Sequence, residues 1–180
     1  MKDLEPLPLS DKISGAPHPS EATTIFGQDS AQQQFLNAFD RGRLHHAWLL
    51  SGPRGVGKAT LVWKIAKFLL TTPNAPAQDG LFGAMIQHVS NLETPPDHPT
   101  LPRILAGSEP ALCVLRRSYD EKRKRFKQNI TVDDVRSLKS FFGLSAADGG
   151  ARVVIIDAAD DMTDSAANAL LKMLEEPPKN

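Results

Sequence analysis

Apolar residues recur at helical spacing in four parts of the chain, and short apolar runs separate these parts. The spacing of three and four positions predicts four helices, at residues 28–39, 61–70, 131–142 and 164–176. The apolar runs predict three strands, at residues 47–51, 111–117 and 152–157. Strands that alternate with helices indicate an α/β fold, in which a parallel sheet lies between helices.

Some helix ends and faces can also be predicted. Thr131 is followed three residues later by Asp134, which resembles a capping box with aspartate in place of glutamate. A short helix should begin at Thr100, whose hydroxyl can cap it, and another is expected around residues 81–89. On the last helix, the inward face is predicted to carry Ala167, Leu170, Leu171 and Leu174.

Composition adds an N-terminal region to this picture. Residues 1–24 contain few large apolar side chains and four prolines, so we expect an extended or disordered arm there and one domain over residues 25–180. Lys and Arg total 21, as do Asp and Glu, so no net charge draws the chain to nucleic acid or to membranes. No apolar run reaches the roughly 18 residues of a membrane span, which favours a cytoplasmic protein.

A glycine-rich loop between the first predicted strand and the following helix is the strongest chemical signal. It nearly matches G-x-x-x-x-G-K-[ST], whose backbone N–H groups and lysine hold nucleotide phosphates. The residue after Lys58 should supply a hydroxyl that binds Mg²⁺, but it is Ala59. Thr60 would point elsewhere, because one residue along a helix rotates the side chain by roughly 100°. We therefore predict a vestigial phosphate-binding loop of Gly52, Pro53, Arg54, Gly55, Val56, Gly57, Lys58, Ala59 and Thr60.

A second motif is altered in the same way. The predicted strand at 152–157 ends in Asp157, where P-loop proteins place a metal-orienting aspartate. A glutamate commonly follows in ATPases, whereas Ala158 follows here, so we predict a degenerate motif with no catalytic residue. Binding of ATP and Mg²⁺ is doubtful on this basis. The loop can still bind phosphate passively, or Lys58 can bond to backbone carbonyls or to Asp157 and close the cavity.

The single cysteine limits metal chemistry. Cys113 cannot form an intramolecular disulfide or a thiolate zinc cluster within one chain, and its apolar neighbours indicate a strand. The five histidines lack ligand spacing. We expect no zinc and no resident cofactor.

Seven of the twelve residues 116–127 are basic. Clustered lysines and arginines neutralise phosphates, which makes Lys122, Arg123, Lys124 and Arg125 candidates for contact with nucleic acid. The alternative is a solvated hairpin tip, and the balanced overall charge favours it.

Residues 46–58 and 168–178 resemble bacterial clamp-loader subunits of the AAA+ class, and residues 25–28 resemble that family's motif near the adenine pocket. Ala59 and Ala158 make the chain most similar to the delta-prime family of DNA polymerase III, which commonly has degenerate motifs. Many clamp-loader subunits carry a four-cysteine zinc module after the first helix. Residues 71–110 contain no cysteine, so we infer that this module is absent.

The resemblance implies a three-layer P-loop NTPase fold, the AAA+ base domain, with lid and collar domains expected beyond Asn180. It implies a non-catalytic stator within a DNA polymerase holoenzyme, beside ATP-hydrolysing neighbours that load the sliding clamp onto primed DNA. The implied partners are the motor and delta subunits, and through the complex the clamp and primer–template DNA, without a membrane. Two alternatives stay open: an active ATPase motor in which Thr60 and Asp160 compensate, or a basic-loop domain that binds nucleic acid.

Overall fold

The structure is a computed structural model that describes residues 7–72, 89–143 and 150–176. Its contacts divide the chain into two compact units. Unit 1 comprises Met1–Pro19, Cys113–Ser145 and Val154–Asn180, and unit 2 comprises Ser20–Leu112 and Ala146–Val153. The helix predicted around residues 81–89 falls almost entirely outside the described residues.

The described part of unit 2 contains three α-helices: α1 (Asp29–Asp40), α2 (Lys58–Thr71) and α3 (Thr100–Leu105). The first two confirm the helices predicted from apolar spacing. Their apolar faces form one core, in which the Phe68 ring lies 4.9 Å from Phe39 and 6.3 Å from Phe35, measured between centroids. The fully buried members of this core are Phe35, Leu36, Leu61, Phe68 and Leu92.

The third helix begins at Thr100 as predicted, but Thr100 does not cap it. The cap position is Pro99, which makes no side-chain cap bond. The Thr100 hydroxyl accepts a hydrogen bond from Arg103 Nη2 at 3.2 Å, and the Thr100 N–H donates to His98 Nδ1 at 3.3 Å. The capping prediction was wrong because an imidazole two residues earlier takes the role.

The prediction of a buried strand at residues 47–51 was also wrong. This segment has no strand assignment, and Leu49 is 83% exposed. The Trp48 side chain makes a local hydrogen bond instead: its indole Nε1 donates to the His45 carbonyl at 3.1 Å. The centroid of its ring lies 5.4 Å from that of Phe35. A strand requires a neighbour that completes its hydrogen bonds, and within the described ranges none pairs with this segment.

Two parts of the chain form paired strands, β1 (Leu112–Leu115) and β4 (Val153–Ile156), and all their residues except the first of each belong to unit 1. The strands are parallel, because the N–H groups of Val153 and Asp157 donate to the carbonyls of Ala111 and Leu115 in the same register, both at 2.9 Å. The two strands confirm the predicted apolar runs. With the helices they confirm the α/β class.

Helices α4 (Val132–Gly143) and α5 (Asp164–Glu175) pack against each other in unit 1. The start of α4 confirms one half of the predicted box: the Asp134 carboxylate accepts from the N–H of Thr131, and it also accepts from the Thr131 hydroxyl, both at 2.7 Å. The buried members of the core are Leu115, Ile130, Val135, Leu138 and Ala166.

The predicted inward face of α5 needs a correction. Ala166 is fully buried, whereas Leu171 is 56% exposed. The Thr163 hydroxyl accepts from the Ala166 N–H at 3.2 Å and fixes the start of the helix. From Ala166, residue 171 lies about 140° around the helix, on the outer side. The residues that pack inward with Ala166 are Met162, Ala169, Leu170 and Met173.

Between β1 and α4 the chain forms a hairpin of β2 (Tyr119–Asp120) and β3 (Arg125–Phe126). The strands are antiparallel, with Tyr119 opposite Phe126. This confirms the hairpin interpretation of the basic segment. Within the described ranges, every helix falls short of the length and apolar character needed to cross a membrane.

Candidate functional site

The glycine loop of unit 2 leads into α2, whose first residue is Lys58. Gly55 and Gly57 adopt φ values of 84° and 93°, which residues with a side chain rarely adopt. A Cβ at either position would meet no atom within 4 Å, so backbone conformation rather than space requires glycine there. Residues 51–56 are exposed, and the helix N-terminus opens toward them. Glycines with positive φ just before a helix N-terminus are typical of loops that bind anions.

Lys58 is bound by its own loop. Its ammonium donates to the carbonyl of Gly52 at 2.8 Å and to that of Pro53 at 2.9 Å. This geometry matches the alternative in which the lysine bonds to backbone carbonyls. An ammonium has three donors, so one is left for an incoming anion unless the loop bonds exchange.

The position after Lys58, where the motif places a metal ligand, has no side-chain oxygen. Ala59 directly follows Lys58 and has only a methyl group. Thr60 is half-buried one position further along the helix. Mg²⁺ takes oxygen ligands in near-octahedral geometry, so the position of Ala59 cannot contribute one.

A cavity of about 220 Å³ lies beside the loop within unit 2. Its walls are largely apolar, with Phe35, Leu61 and Ile65 among them, and Ser51 and Lys58 supply polar atoms. Gln28 connects this wall to the loop, because its Nε2 donates to the Val56 carbonyl at 2.9 Å. The cavity is therefore a mostly apolar recess beside the N-terminus of α2.

Asp157 follows β4 in unit 1, as predicted, and is half-buried. Burial raises the pKa of its carboxyl, and the negative charges of Asp11 and Asp161 raise it further, against the opposing effect of His18 and Arg116. Ala158 offers no carboxylate, and Asp160 is exposed on the single turn at Ala159–Asp161. The second motif therefore retains one carboxyl whose surroundings disfavour its charge.

Sequence reasoning missed the charged cluster next to this carboxyl. Asp11 is almost fully buried and accepts hydrogen bonds from Arg116 Nη1 at 2.6 and 2.7 Å, and His18 Nε2 lies 3.1 Å from it. Burial alone would raise the pKa of Asp11, but Arg116 and His18 outweigh it and lower the pKa. Asp11 and Arg116 are 105 positions apart, so no local pattern could have predicted the pair. Asp11 and His18 lie in the part of the predicted arm that belongs to unit 1, and Arg116 directly follows β1.

In the described part of the chain, no three His, Cys, Asp or Glu side chains are close enough together to hold a metal ion. Cys113 lies in β1, where burial raises the pKa of its thiol and disfavours the metal-binding thiolate. The expectation of no zinc stays a prediction. The basic candidates Lys122, Arg123, Lys124 and Arg125 are all exposed on the hairpin.

A glycine loop that opens a helix, in a chain with a parallel α/β sheet, is typical of the P-loop class of folds, although the strand that precedes the loop in that class is not formed at residues 47–51. The family model described as "DNA polymerase III, delta subunit" matches residues 27–180, and the chain belongs to this family. This confirms the resemblance drawn from residues 46–58 and 168–178, and with it the AAA+ fold class.

Relatives with different subunit names are similar to the chain. The DNA polymerase III subunit delta' of Pseudomonas aeruginosa is 36% identical over 76% of the chain and 35% of its own length. The subunit delta' of Yersinia pestis is 33% identical over 82% of the chain and 37% of its own length. The DNA polymerase III subunit gamma of Buchnera aphidicola subsp. Schizaphis graminum is 28% identical over 90% of the chain and 38% of its own length. The chain thus spans little more than a third of the length of these relatives.

Proposed function

We propose that the protein is a non-catalytic clamp-loader subunit of the replicative DNA polymerase. It acts as a stator: a rigid base beside ATP-hydrolysing neighbours that load the sliding clamp onto primed DNA. The observation that carries the proposal is Ala59, whose methyl group stands where the motif of a phosphate-binding loop requires an oxygen ligand for the metal. Relatives named delta' support this assignment.

The chemistry of the glycine loop and of the motif at Asp157 also supports the proposal. Phosphoryl transfer depends on a metal to neutralise developing charge and on a residue that orients the attacking water. Ala59 cannot bind the metal, and Ala158 cannot orient the water. Each missing group removes several kcal/mol of barrier reduction, which corresponds to orders of magnitude in rate.

In this proposal the partners are the motor and delta subunits, and the protein reaches the sliding clamp and primer–template DNA through the complex. The protein acts in the cytoplasm and does not bind a membrane. It carries no zinc and needs no cofactor of its own.

Reconstitution with the motor and delta subunits tests the stator role. Three complexes are compared: one with the unaltered protein, one with its Lys58→Ala variant, and one without it. A stator requires that clamp loading and ATP hydrolysis are equal in the first two complexes and fall sharply in the third. A Lys58→Ala complex as impaired as the one without the subunit would contradict the proposal, provided that the variant still assembles.

An active motor is the second candidate. Relatives named gamma and gamma/tau match 90% of the chain at 28–30% identity, which favours it. This candidate requires Thr60 and Asp160 to compensate for the two alanines. Thr60→Ala and Asp160→Asn would then each lower ATP hydrolysis of the complex, whereas the stator proposal expects no change from either.

A further inference from the structure

The basic hairpin of unit 1 has a fixed shape. The rings of Tyr119 and Phe126 meet at its base with centroids 5.3 Å apart, and the Lys127 N–H donates to the Ser118 carbonyl at 2.8 Å. At the turn, the Asp120 carboxylate accepts from the N–H groups of Lys122 and Arg123 at 3.0 and 3.1 Å. The turn is therefore bonded to the Asp120 carboxylate, and the base is closed by a ring contact and a backbone hydrogen bond.

This tip concentrates positive charge that the chain as a whole lacks. Residues 119–127 contain five basic and two acidic side chains, an excess of three, while the net charge of the chain is zero. Arg123 Nε lies 3.9 Å from Asp120, a weak pair at an exposed site. The side chains of Lys122, Lys124, Arg125 and Lys127 are exposed, and within the described residues they make no hydrogen bond or ion pair. Contacts among the described residues therefore leave these four cations without an intramolecular partner.

We propose that the hairpin tip contacts the phosphate backbone of double-stranded DNA. Lysine and arginine side chains on a fixed turn can reach successive phosphates without reading bases. A binder of single strands would also offer aromatic rings for stacking, but Tyr119 and Phe126 are half-buried and face each other. This contact belongs to the chain itself, beyond the indirect contact through the complex, and it does not depend on ATP hydrolysis.

The test measures binding of the intact protein, without partner subunits, to a fluorescent duplex over a range of salt concentrations. The variant Lys122→Gln/Lys124→Gln/Arg125→Gln removes three charges from the tip. The control Lys12→Gln/Lys139→Gln/Lys172→Gln removes three exposed charges elsewhere in unit 1. Both variants change the net charge equally, and thermal melting verifies that both fold.

Three lost phosphate contacts should make the salt dependence of log K shallower by about 2.7, since each contact contributes about 0.9. Affinity at low salt should fall at least tenfold in the hairpin variant and remain near that of the unaltered protein in the control. Equal behaviour of the two variants would overturn the proposal, as would an absence of duplex binding by the unaltered protein. An equally large loss of binding to polyglutamate would assign the tip to acidic partners in general and also overturn it. ATPase assays are independent of these outcomes, so failure here is distinguishable from failure of the stator proposal.

Discussion

Lys58 donates to the carbonyls of Gly52 and Pro53, and this competes with any anion that approaches the loop. We expect pyrophosphate and ADP to bind weakly, in the millimolar range that corresponds to about 4 kcal/mol. The affinity should be the same with and without Mg²⁺, because Ala59 supplies no ligand for the metal. Titration followed by the amide signals of Gly55, Gly57 and Lys58 measures it. Binding strengthened tenfold by Mg²⁺ would show that a metal site survives.

Asp157 is a carboxyl whose charge the folded state disfavours, since burial and its acidic neighbours raise its pKa. Its destabilising effect is therefore absent at low pH, where the carboxyl is protonated in both states, and develops as the pH rises through its folded pKa. We predict that Asp157→Asn raises the free energy of unfolding at neutral pH by up to about 1 kcal/mol. Urea unfolding at several pH values measures this. Asp160→Asn, exposed on the next turn, is the matched control and should change little; a destabilised Asp157→Asn would mean that the charge is needed.

Asp11 should behave in the opposite way, because Arg116 and His18 outweigh burial and lower its pKa. Its stabilising effect is present above the ordinary range of an aspartate carboxyl and is lost as the pH falls through the folded pKa. Asp11→Asn is expected to cost about 1–3 kcal/mol at neutral pH, because Arg116 loses its charged partner. The control Asp133→Asn alters an exposed pair and should stay within about 0.5 kcal/mol. Equal unfolding curves for the two variants would rule out a stabilising cluster.

At the scale of elements, α5 provides a test of the corrected helix face. Ala166 is fully buried and Leu171 is exposed. Ala166→Leu should cost about 1–3 kcal/mol through overpacking, while Leu171→Ala in the isolated protein should change stability by less than about 0.5 kcal/mol. Thermal unfolding of both variants measures the difference. The reverse order would restore the face first predicted from the sequence.

The helices were predictable because their signal is local. Phe35 and Phe39 on α1, and Leu61 and Phe68 on α2, repeat at the helical period, and that repeat is visible in the sequence. A strand depends on its neighbour, so the apolar run at 47–51 was not sufficient to form one. The glycine loop was located because its residue types are specific, whereas the bond from Gln28 to Val56 requires knowledge of how α1 packs.

At the scale of the whole molecule, a net charge of zero gives no indication of the local charge on the hairpin. The overall balance favoured a solvated tip, and the structure contains the hairpin as predicted. Whole-chain composition averages over the surface, while binding depends on where charges lie. Family membership identifies the scaffold, and the alanines at positions 59 and 158 determine what chemistry the scaffold retains.

Mg²⁺-dependent ATP hydrolysis by the intact purified protein tests the central claim most directly, with its Lys58→Ala variant as the matched control. Because each of the two motifs has alanine where an ATPase has a metal-binding hydroxyl or a water-orienting carboxylate, we predict that the two proteins show the same background rate at saturating ATP. A turnover of about 1 s⁻¹ that the Lys58→Ala variant abolishes would contradict the account, since it would demonstrate a working ATPase site.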